Sequence, residues 1–316
     1  MSEADEKPAV DAILQKVLKA VPFQLTTDGG AEAARRRFRE LPRREIDPAL
    51  RTEDRAVDGP AGPIPIRVYW PPEADGAAVP VVVFLHGGGW SVGDLDTYDG
   101  IAAMHAVGAG AVVVSVDYRL APEHPYPAAV DDAWAVTQWV GAHAADLGAD
   151  ADRLAVAGDS AGGNLAAVVC QLARDAGGPP IAFQLLWYPS TTFDTGLPSF
   201  AENADAPVLN LAACKGYSRW YIGDLDMSDP PATLVPARAD DLSGLPPAYL
   251  AVANHDPLRD DGLRYAELLT AAGVPVEVHN AETLIHGYLG YAGVVPAATE
   301  AMDRGLAALR RALHSR

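Results

Sequence analysis

The chain has 316 residues, and its 24 Lys and Arg against 42 Asp and Glu give a formal net charge of −18. Hydrophobic residues make up 49% of it, which is enough to build a large core and excludes intrinsic disorder. The length is at the upper end of what one core spans, so we expect one large domain with a smaller lid. The acidity argues against nucleic acid or an anionic membrane as a partner, because phosphate binding needs clustered Lys and Arg. The one dense basic run, residues 35–44, is expected to be the solvated side of a helix and its exit turn.

Neither the cysteines nor the N-terminus indicates secretion. Cys170 and Cys214 are too few for a disulfide framework and are not spaced as a metal pair, so both are expected to be small core residues. The N-terminus lacks the basic and apolar regions of a signal peptide. The longest weakly polar run, residues 101–116, is shorter than the roughly 20 residues of a membrane-spanning helix. The sequence therefore predicts a soluble, cytoplasmic protein.

From residue 64 onward, strand-like and helix-like segments alternate along the chain. Apolar runs predict strands at residues 64–70, 79–85, 111–116, 154–157, 181–188, 247–252 and 274–279. Apolar residues at helical spacing predict helices at residues 127–144, 165–172, 263–272 and 297–313. This alternation predicts an α/β fold in which a mostly parallel central sheet carries helices on both faces.

Two segments interrupt that alternation. Residues 9–40 are predicted to form one or two amphipathic helices, and residues 190–245 are rich in proline with a helix-like piece at 211–222. Segments of this kind are expected to lie over the loop-bearing edge of the sheet as a lid. The predicted division is therefore cap helices at 1–48, core at 49–190, a cap insertion at 191–245 and core at 246–316.

The strongest motif is a glycine-rich turn around Ser160. Residues 158–163 read Gly-Asp-Ser-Ala-Gly-Gly, and they follow a predicted strand and precede a predicted helix. This context is required of the G-x-S-x-G nucleophile elbow, whose tight turn needs flanking residues with almost no side chain. The serine would then stand at a helix N-terminus, where the dipole favours developing negative charge. The alternative is a plain glycine-rich turn.

A second glycine run, His86-Gly-Gly-Gly-Trp90, directly follows a predicted strand. Three glycines cost backbone entropy unless the chain must approach another group closely. An oxyanion hole has that requirement, and its donors would be the amides of Gly88, Gly89 and Ala161. A phosphate loop is the alternative, but the Lys-Ser/Thr that it needs is absent. His86 precedes the loop and is expected to brace it rather than to act as a base.

These two motifs, 72 residues apart, and the intervening stretch from Asp117 to Ala128 resemble the bacterial hormone-sensitive-lipase-like esterases, the family IV carboxylesterases of the α/β-hydrolase superfamily. The resemblance covers the chain from about residue 50. It implies an α/β-hydrolase fold with a helical cap, and a serine carboxylesterase that hydrolyses short- to medium-chain acyl esters. It also implies a homodimer as a candidate assembly, paired through an edge strand at residues 274–279.

The acid of a catalytic triad is expected after the serine in this superfamily. Asp256 comes just after the end of a predicted strand, so it is expected at the same sheet edge as Ser160. Residues 256–262 also match the family's acid motif, whose first residue is catalytic. Asp260 and Asp261 fit the start of the next helix better, because carboxylates favour the N-terminal end of the helix dipole.

The base is expected after the acid, and His286 matches the family's base position. It lies beyond the last predicted strand, in a loop that can fold back over the site. His279 falls within that strand and is the weaker candidate. His255 directly precedes the acid, and adjacent residues at a strand end point to opposite faces, so it should not replace His286.

The sequence thus predicts a Ser-His-Asp acyl-enzyme mechanism on a small-molecule ester, with no metal or organic cofactor. The acyl and alcohol pockets are expected to be lined by the lid segments and by Trp90, Trp187 and Tyr188, each of which could equally be a core residue. An amidase or peptidase using the same triad is the first alternative. A non-catalytic ligand-binding relative is the second, although such relatives tend to lose the histidine.

Overall fold

A single eight-stranded sheet runs through the molecule, in the order β1-β2-β4-β3-β5-β6-β7-β8. The computed structural model describes residues 7–74 and 78–315. Its strands are β1 Thr52–Gly59, β2 Gly62–Tyr69, β3 Val79–Leu85, β4 Val112–Val116, β5 Ala149–Asp159, β6 Ile181–Trp187, β7 Ala248–His255 and β8 Val276–Ile285. The strands from β3 onward pair in parallel, while β1 and β2 form a hairpin that joins the sheet antiparallel to β4.

Helices cover both faces of this sheet. They are α1 Ala12–Ala20, α2 Gly30–Arg39, α3 Asp99–Ala109, α4 Ala128–His143, α5 Ala161–Ala176, α6 Pro198–Glu202, α7 Leu211–Ile222, α8 Arg259–Ala271 and α9 Pro296–His314. Successive residues of the fully buried strand β3 point to opposite faces, because side chains alternate along a strand. Val83 therefore packs in one cluster with Leu165 of α5, and Phe84 packs in the other with Leu309 of α9. The predicted fold class is confirmed.

The structure extends the prediction at the two sides of the sheet. Strand β8 continues to Ile285, six residues beyond the predicted end at 279, so His286 directly follows a strand rather than lying within a long loop. Strand β1 and helix α3 were not predicted. Strand β1 is mostly exposed and has a sequence of mixed polarity, Thr-Glu-Asp-Arg-Ala-Val-Asp-Gly, which carries no alternation of apolar residues.

The two interrupting segments meet over one edge of the sheet. The N-terminal segment carries α1 and α2, and the later segment carries α6 and α7. They contact each other directly. The Leu25 amide donates to the Val208 carbonyl at 2.8 Å, and the Tyr217 hydroxyl donates to the Thr26 carbonyl at 3.3 Å. The segments therefore form one continuous surface rather than two separate flaps.

The side chain of Arg35, the first residue of the basic run, is not solvated as the sequence predicts. Its side chain is only 15% exposed. The guanidinium donates to the carbonyl oxygens of Ser91 and Ala121, both at 2.9 Å, and forms an ion pair with Glu123. The expectation of a solvated side chain is wrong here, because Arg35 anchors α2 to the loops that follow β3 and β4.

The structure also bears on the expected positions of the two cysteines and on the expected lack of a membrane-spanning helix. Cys170 is buried in the core and Cys214 is half-buried, and neither forms a disulfide. None of the helices within residues 7–74 and 78–315 is both long and apolar enough to cross a bilayer.

Candidate active site

Ser160 lies at the sharp turn between β5 and α5. Its backbone has φ 54° and ψ −116°, a conformation that non-glycine residues rarely adopt and that marks local strain. Gly162 must lack a side chain because a Cβ there would overlap the carbonyl oxygen of Leu85, at the end of β3. The close approach of β3 to the turn is the physical reason for the glycines that the motif requires.

Three side chains that follow different strands meet at this turn. The Ser160 Oγ lies 2.9 Å from Nε2 of His286, and Nδ1 of His286 lies 2.7 Å from Oδ2 of Asp256. A carboxylate only accepts hydrogen bonds, so Nδ1 carries the proton and Nε2 is free to accept from the serine hydroxyl. The carboxylate is itself held in place, because its other oxygen accepts from the Leu258 amide at 2.8 Å. Asp256 is fully buried and His286 is 3% exposed.

The other acid candidates contact different groups. Asp260 and Asp261 lie in the first turn of α8. Asp260 accepts from the Ser199 amide at 2.9 Å. Asp261 is fully buried, and its Oδ1 accepts from the Thr191 hydroxyl at 2.6 Å. Burial raises the pKa of Asp261 to about 6. Both carboxylates therefore fix the chain after β6, rather than taking part in the Ser–His arrangement.

The other histidine candidates also lie apart from it. The Nε2 of His255 is 2.7 Å from the carbonyl oxygen of Pro8, so His255 faces the N-terminal segment. His279 is a half-buried residue within β8. The structure thus brings together Ser160, Asp256 and His286 from the predicted set.

The glycine loop after β3 approaches Ser160 with free amide groups. The amides of Gly88 and Gly89 donate to no acceptor within the described parts of the chain, whereas the Gly87 amide donates to Oδ1 of Asp159 at 2.7 Å. Ala161 is the first residue of α5, and the amides of a first helical turn have no acceptor within the helix. Gly88, Gly89 and Ala161 are therefore available to bind an anion beside Ser160.

Asp159 connects this loop to the nucleophile turn. Besides the Gly87 amide, it accepts from the Tyr98 hydroxyl at 3.2 Å. Burial raises the pKa of its carboxyl to about 6. On the other side of the loop, the Tyr118 hydroxyl donates to the His86 carbonyl at 2.6 Å, and burial lowers the pKa of His86 to about 4. His86 is therefore a neutral part of the brace, as its position before the loop predicts.

Two cavities adjoin Ser160. The larger, which we term the cap cavity, has a volume of about 410 Å³ and is lined by residues that include Phe23, Phe38, Met104, Tyr188 and His286. The smaller, which we term the aromatic pocket, has a volume of about 50 Å³ and is lined by residues that include Trp90, Phe193, Phe200 and Tyr217.

The three aromatic residues predicted to line pockets separate accordingly. Trp90 lines the aromatic pocket and Tyr188 lines the cap cavity. Trp187 lines neither of them and is fully buried, with its indole nitrogen donating to Nε2 of His105 at 3.0 Å. Trp187 is a core residue, because it belongs to the last position of β6 and points toward α3.

Sequence reasoning expected the lid segments to line the pockets but did not identify which of their residues form the walls. Phe23 and Phe38 come from the N-terminal segment, and Phe193 and Tyr217 come from the later insertion. A single aromatic residue in a predicted amphipathic helix or loop carries no signal that distinguishes a cavity wall from a core position. Within the described ranges, no group of three or more His, Cys, Asp or Glu side chains is placed to hold a metal ion.

Comparison with known proteins agrees with this geometry. A family model described as alpha/beta hydrolase fold matches residues 82–290. Esterase LipI of Mycobacterium tuberculosis is 66% identical over 312 residues, covering 98% of each chain. Carboxylesterase NlhH of the same species is 59% identical over 315 residues, again covering 98% of each. The chain in the crystal structure of DphMB1 is 70% identical in sequence to this chain. The two structures match with a TM-score of 0.94, and the match covers 97% of this chain and 100% of that one. The chain therefore belongs to the hormone-sensitive-lipase-like esterase family of the α/β-hydrolase superfamily.

Proposed function

We propose that this chain hydrolyses short- to medium-chain acyl esters through an acyl-enzyme formed on Ser160. That it is a serine carboxylesterase follows from its family and from full-length relatives that are named esterases. The observation that carries the assignment of residues is the continuous chain of hydrogen bonds from Ser160 through His286 to Asp256.

In the first half of the reaction, Ser160 attacks the ester carbonyl carbon while Nε2 of His286 accepts the hydroxyl proton. The buried Asp256 carboxylate keeps the imidazole in the required tautomer and stabilises the imidazolium that forms. His286 then donates the proton to the departing alkoxy oxygen, and the alcohol leaves. In the second half, His286 takes a proton from water as the water oxygen attacks the acyl carbon. The tetrahedral intermediate then collapses, the bond between the acyl carbon and the Ser160 Oγ breaks, and His286 returns the proton to Oγ as the carboxylic acid leaves.

The negative charge of each tetrahedral intermediate would be bound by the amides of Gly88, Gly89 and Ala161. The free donors of Gly88 and Gly89 and the position of Ala161 at the start of α5 support this assignment. One such donor is worth roughly 10²–10³ in rate in other serine hydrolases.

We also propose that residues 1–48 and 191–245 act as the cap over a hydrolase core formed by residues 49–190 and 246–316. The described part of the first segment and the second segment each contribute walls to the cavities beside Ser160, and core residues contribute the rest. An amidase or peptidase is not favoured by the named relatives, which are esterases. Turnover of p-nitrophenyl butyrate well above that of the matching p-nitroanilide would agree with an esterase, and the reverse order would contradict it.

The assignment of the nucleophile is tested by Ser160→Ala, with Ser115→Ala as a matched control. Ser115 is a fully buried serine of β4, which is separated from β5 by β3, and it lines neither cavity. Ser160→Ala is expected to lose p-nitrophenyl butyrate hydrolysis while its circular dichroism and melting temperature remain close to wild type. Ser115→Ala is expected to retain activity. Hydrolysis by Ser160→Ala at more than a few per cent of the wild-type rate would contradict the proposal.

A further inference from the structure

The cap cavity and the aromatic pocket meet at Ser160 but differ about eightfold in volume, at about 410 Å³ and about 50 Å³. Ser160 lines both of them. His286 lines the cap cavity, and Ala161 and Gly89 line the aromatic pocket. An ester has two substituents, the acyl group and the alkoxy group, so the position of His286 decides which cavity receives which substituent.

The reacting oxygen of the alcohol must lie beside His286. A general acid has to be within hydrogen-bond reach of the atom that it protonates, and Nε2 of His286 lies 2.9 Å from the Ser160 Oγ. The alkoxy group therefore leaves the carbonyl carbon on the His286 side and extends into the cap cavity. The carbonyl oxygen is directed toward the free amides of Gly88 and Gly89. The acyl group takes the remaining direction, away from His286, where the aromatic pocket begins at Ala161.

The aromatic pocket leaves little room for an acyl chain. A volume of about 50 Å³ has space for roughly three to five water-sized groups, since one such group needs about 10–15 Å³. Its walls are also fixed in place. The Trp90 ring stacks on Phe193 at a centroid distance of 5.4 Å and on Tyr221 at 4.2 Å. Closely packed aromatic rings cannot move apart without losing contacts. The aromatic pocket would therefore not accommodate a long acyl chain.

The cap cavity is large, apolar and continuous with the protein surface. Its walls include Phe23, Phe38 and Met104, and its rim includes Val294, which is 63% exposed. A long or bulky apolar alcohol can therefore remain in contact with protein along its length and reach solvent at its far end. Burial of its methylene groups contributes to binding, at roughly fourfold in affinity for each one.

We propose that this enzyme selects esters that combine a short acyl group with a long or bulky apolar alcohol. The acyl group is held in the aromatic pocket and the alcohol in the cap cavity. This inference rests on the proposed function, because it uses His286 as the group that protonates the leaving alcohol.

Two isomeric esters, octyl acetate and ethyl octanoate, test the proposal directly. They have identical composition and nearly equal hydrophobicity, but the long chain is on the alcohol in one and on the acyl group in the other. We expect kcat/KM for octyl acetate to exceed that for ethyl octanoate at least about tenfold. A factor of this size corresponds to about two methylene groups of ethyl octanoate that find no apolar contact in the protein. Equal values or the reverse order would overturn the inference and leave the proposed function intact.

The remaining outcomes are also decisive. Turnover of p-nitrophenyl acetate with neither alkyl ester hydrolysed would overturn the inference alone, because a long alcohol should be accepted. Failure on all three esters would overturn the proposed function, and the inference with it.

A variant pair separates the shape of the pocket from general effects on the fold. Phe193→Ala removes one wall of the aromatic pocket and is expected to shift the ratio of kcat/KM at least about fivefold toward ethyl octanoate. Phe183→Ala is the matched control, because Phe183 is a buried residue of β6 that lines neither cavity. The control should leave the ratio unchanged even if it lowers stability. An unchanged ratio in Phe193→Ala would contradict the assignment of the acyl group to this pocket.

Discussion

Gly89→Ala would perturb the oxyanion-binding loop without changing any ionisable or nucleophilic group. Gly89 has φ +58°, and a Cβ built there would lie 2.6 Å from both Cγ and Cδ1 of the Tyr217 ring. Ordinary contacts of a Cβ with neighbouring carbon atoms begin near 3.4 Å, so the loop or the ring must move by about 0.8 Å. An alanine with positive φ costs a further 1–2 kcal/mol or so of stability, roughly the cost of a left-handed conformation.

A displacement of this size matters because the Gly88 and Gly89 amides must meet a charge that develops in the transition state. Loss of one such donor typically lowers kcat by roughly 10²–10³, and a misplacement of about 1 Å has a similar effect. We therefore expect Gly89→Ala to lower kcat for p-nitrophenyl acetate at least about 100-fold, with a smaller change in KM. The double variant Gly89→Ala/Tyr217→Gly should recover at least about tenfold, because it removes both the ring and the Tyr217 Cβ, which would lie 2.8 Å from the new Cβ.

Gly148→Ala separates backbone strain from the clash. Gly148 has φ +69°, and a Cβ there would have no neighbour within 4 Å among the described residues. The control should therefore lose stability by a similar amount in urea denaturation while keeping the wild-type kcat. If folded Gly89→Ala kept kcat within about threefold of wild type, the assignment of these amides to the oxyanion would be refuted.

Three further variants test the surroundings of the site. Asp256→Asn should lower kcat about 10⁴-fold with little change in the fold, because the amide disfavours the required His286 tautomer; a loss below about tenfold in steady-state assays would contradict its role. His255→Ala should keep kcat within about twofold, and a large loss would show that this histidine acts in the reaction. His105→Gln should reduce acid sensitivity, because burial lowers the pKa of His105 to about 4 from 6.5. Between pH 4 and pH 6.5, His105 therefore binds a proton in the unfolded chain but not in the folded chain. Wild type should lose about 2 kcal/mol of stability from this group between pH 7 and pH 5. Urea unfolding should show that loss in wild type and not in His105→Gln, where the amide can still accept from Trp187; equal pH dependence would contradict the assignment.

The parts of the site that could be predicted depend on local chemistry. The turn at Ser160 is constrained by the close approach of β3, so the glycines around it are visible as a short motif. Asp256 and His286 could be placed because parallel strands end at one edge of the sheet, and residues that follow different strands meet there. The fully buried strands β3 and β4 could be recognised because every residue in them is apolar or small.

The parts that could not be predicted depend on partners that are distant in the chain. Arg35 is anchored by carbonyl oxygens 56 and 86 residues away, and a basic run by itself indicates a solvated helix. Trp187 belongs to the core because of its contact with His105, 82 residues earlier. The walls of the aromatic pocket come from separate loops and helices, so the size and shape of the pocket follow from tertiary packing and not from any spacing in the sequence.

The central claim is that Ser160 is the nucleophile and that His286 activates it. Labelling with a fluorophosphonate, followed by proteolysis and mass spectrometry, tests this claim most directly because the reagent stays on the serine that attacks it. We predict one equivalent of adduct on the peptide that contains Ser160, and a rate of labelling reduced at least about 10³-fold in His286→Ala. An adduct on another residue, or undiminished labelling in folded His286→Ala, would contradict the account.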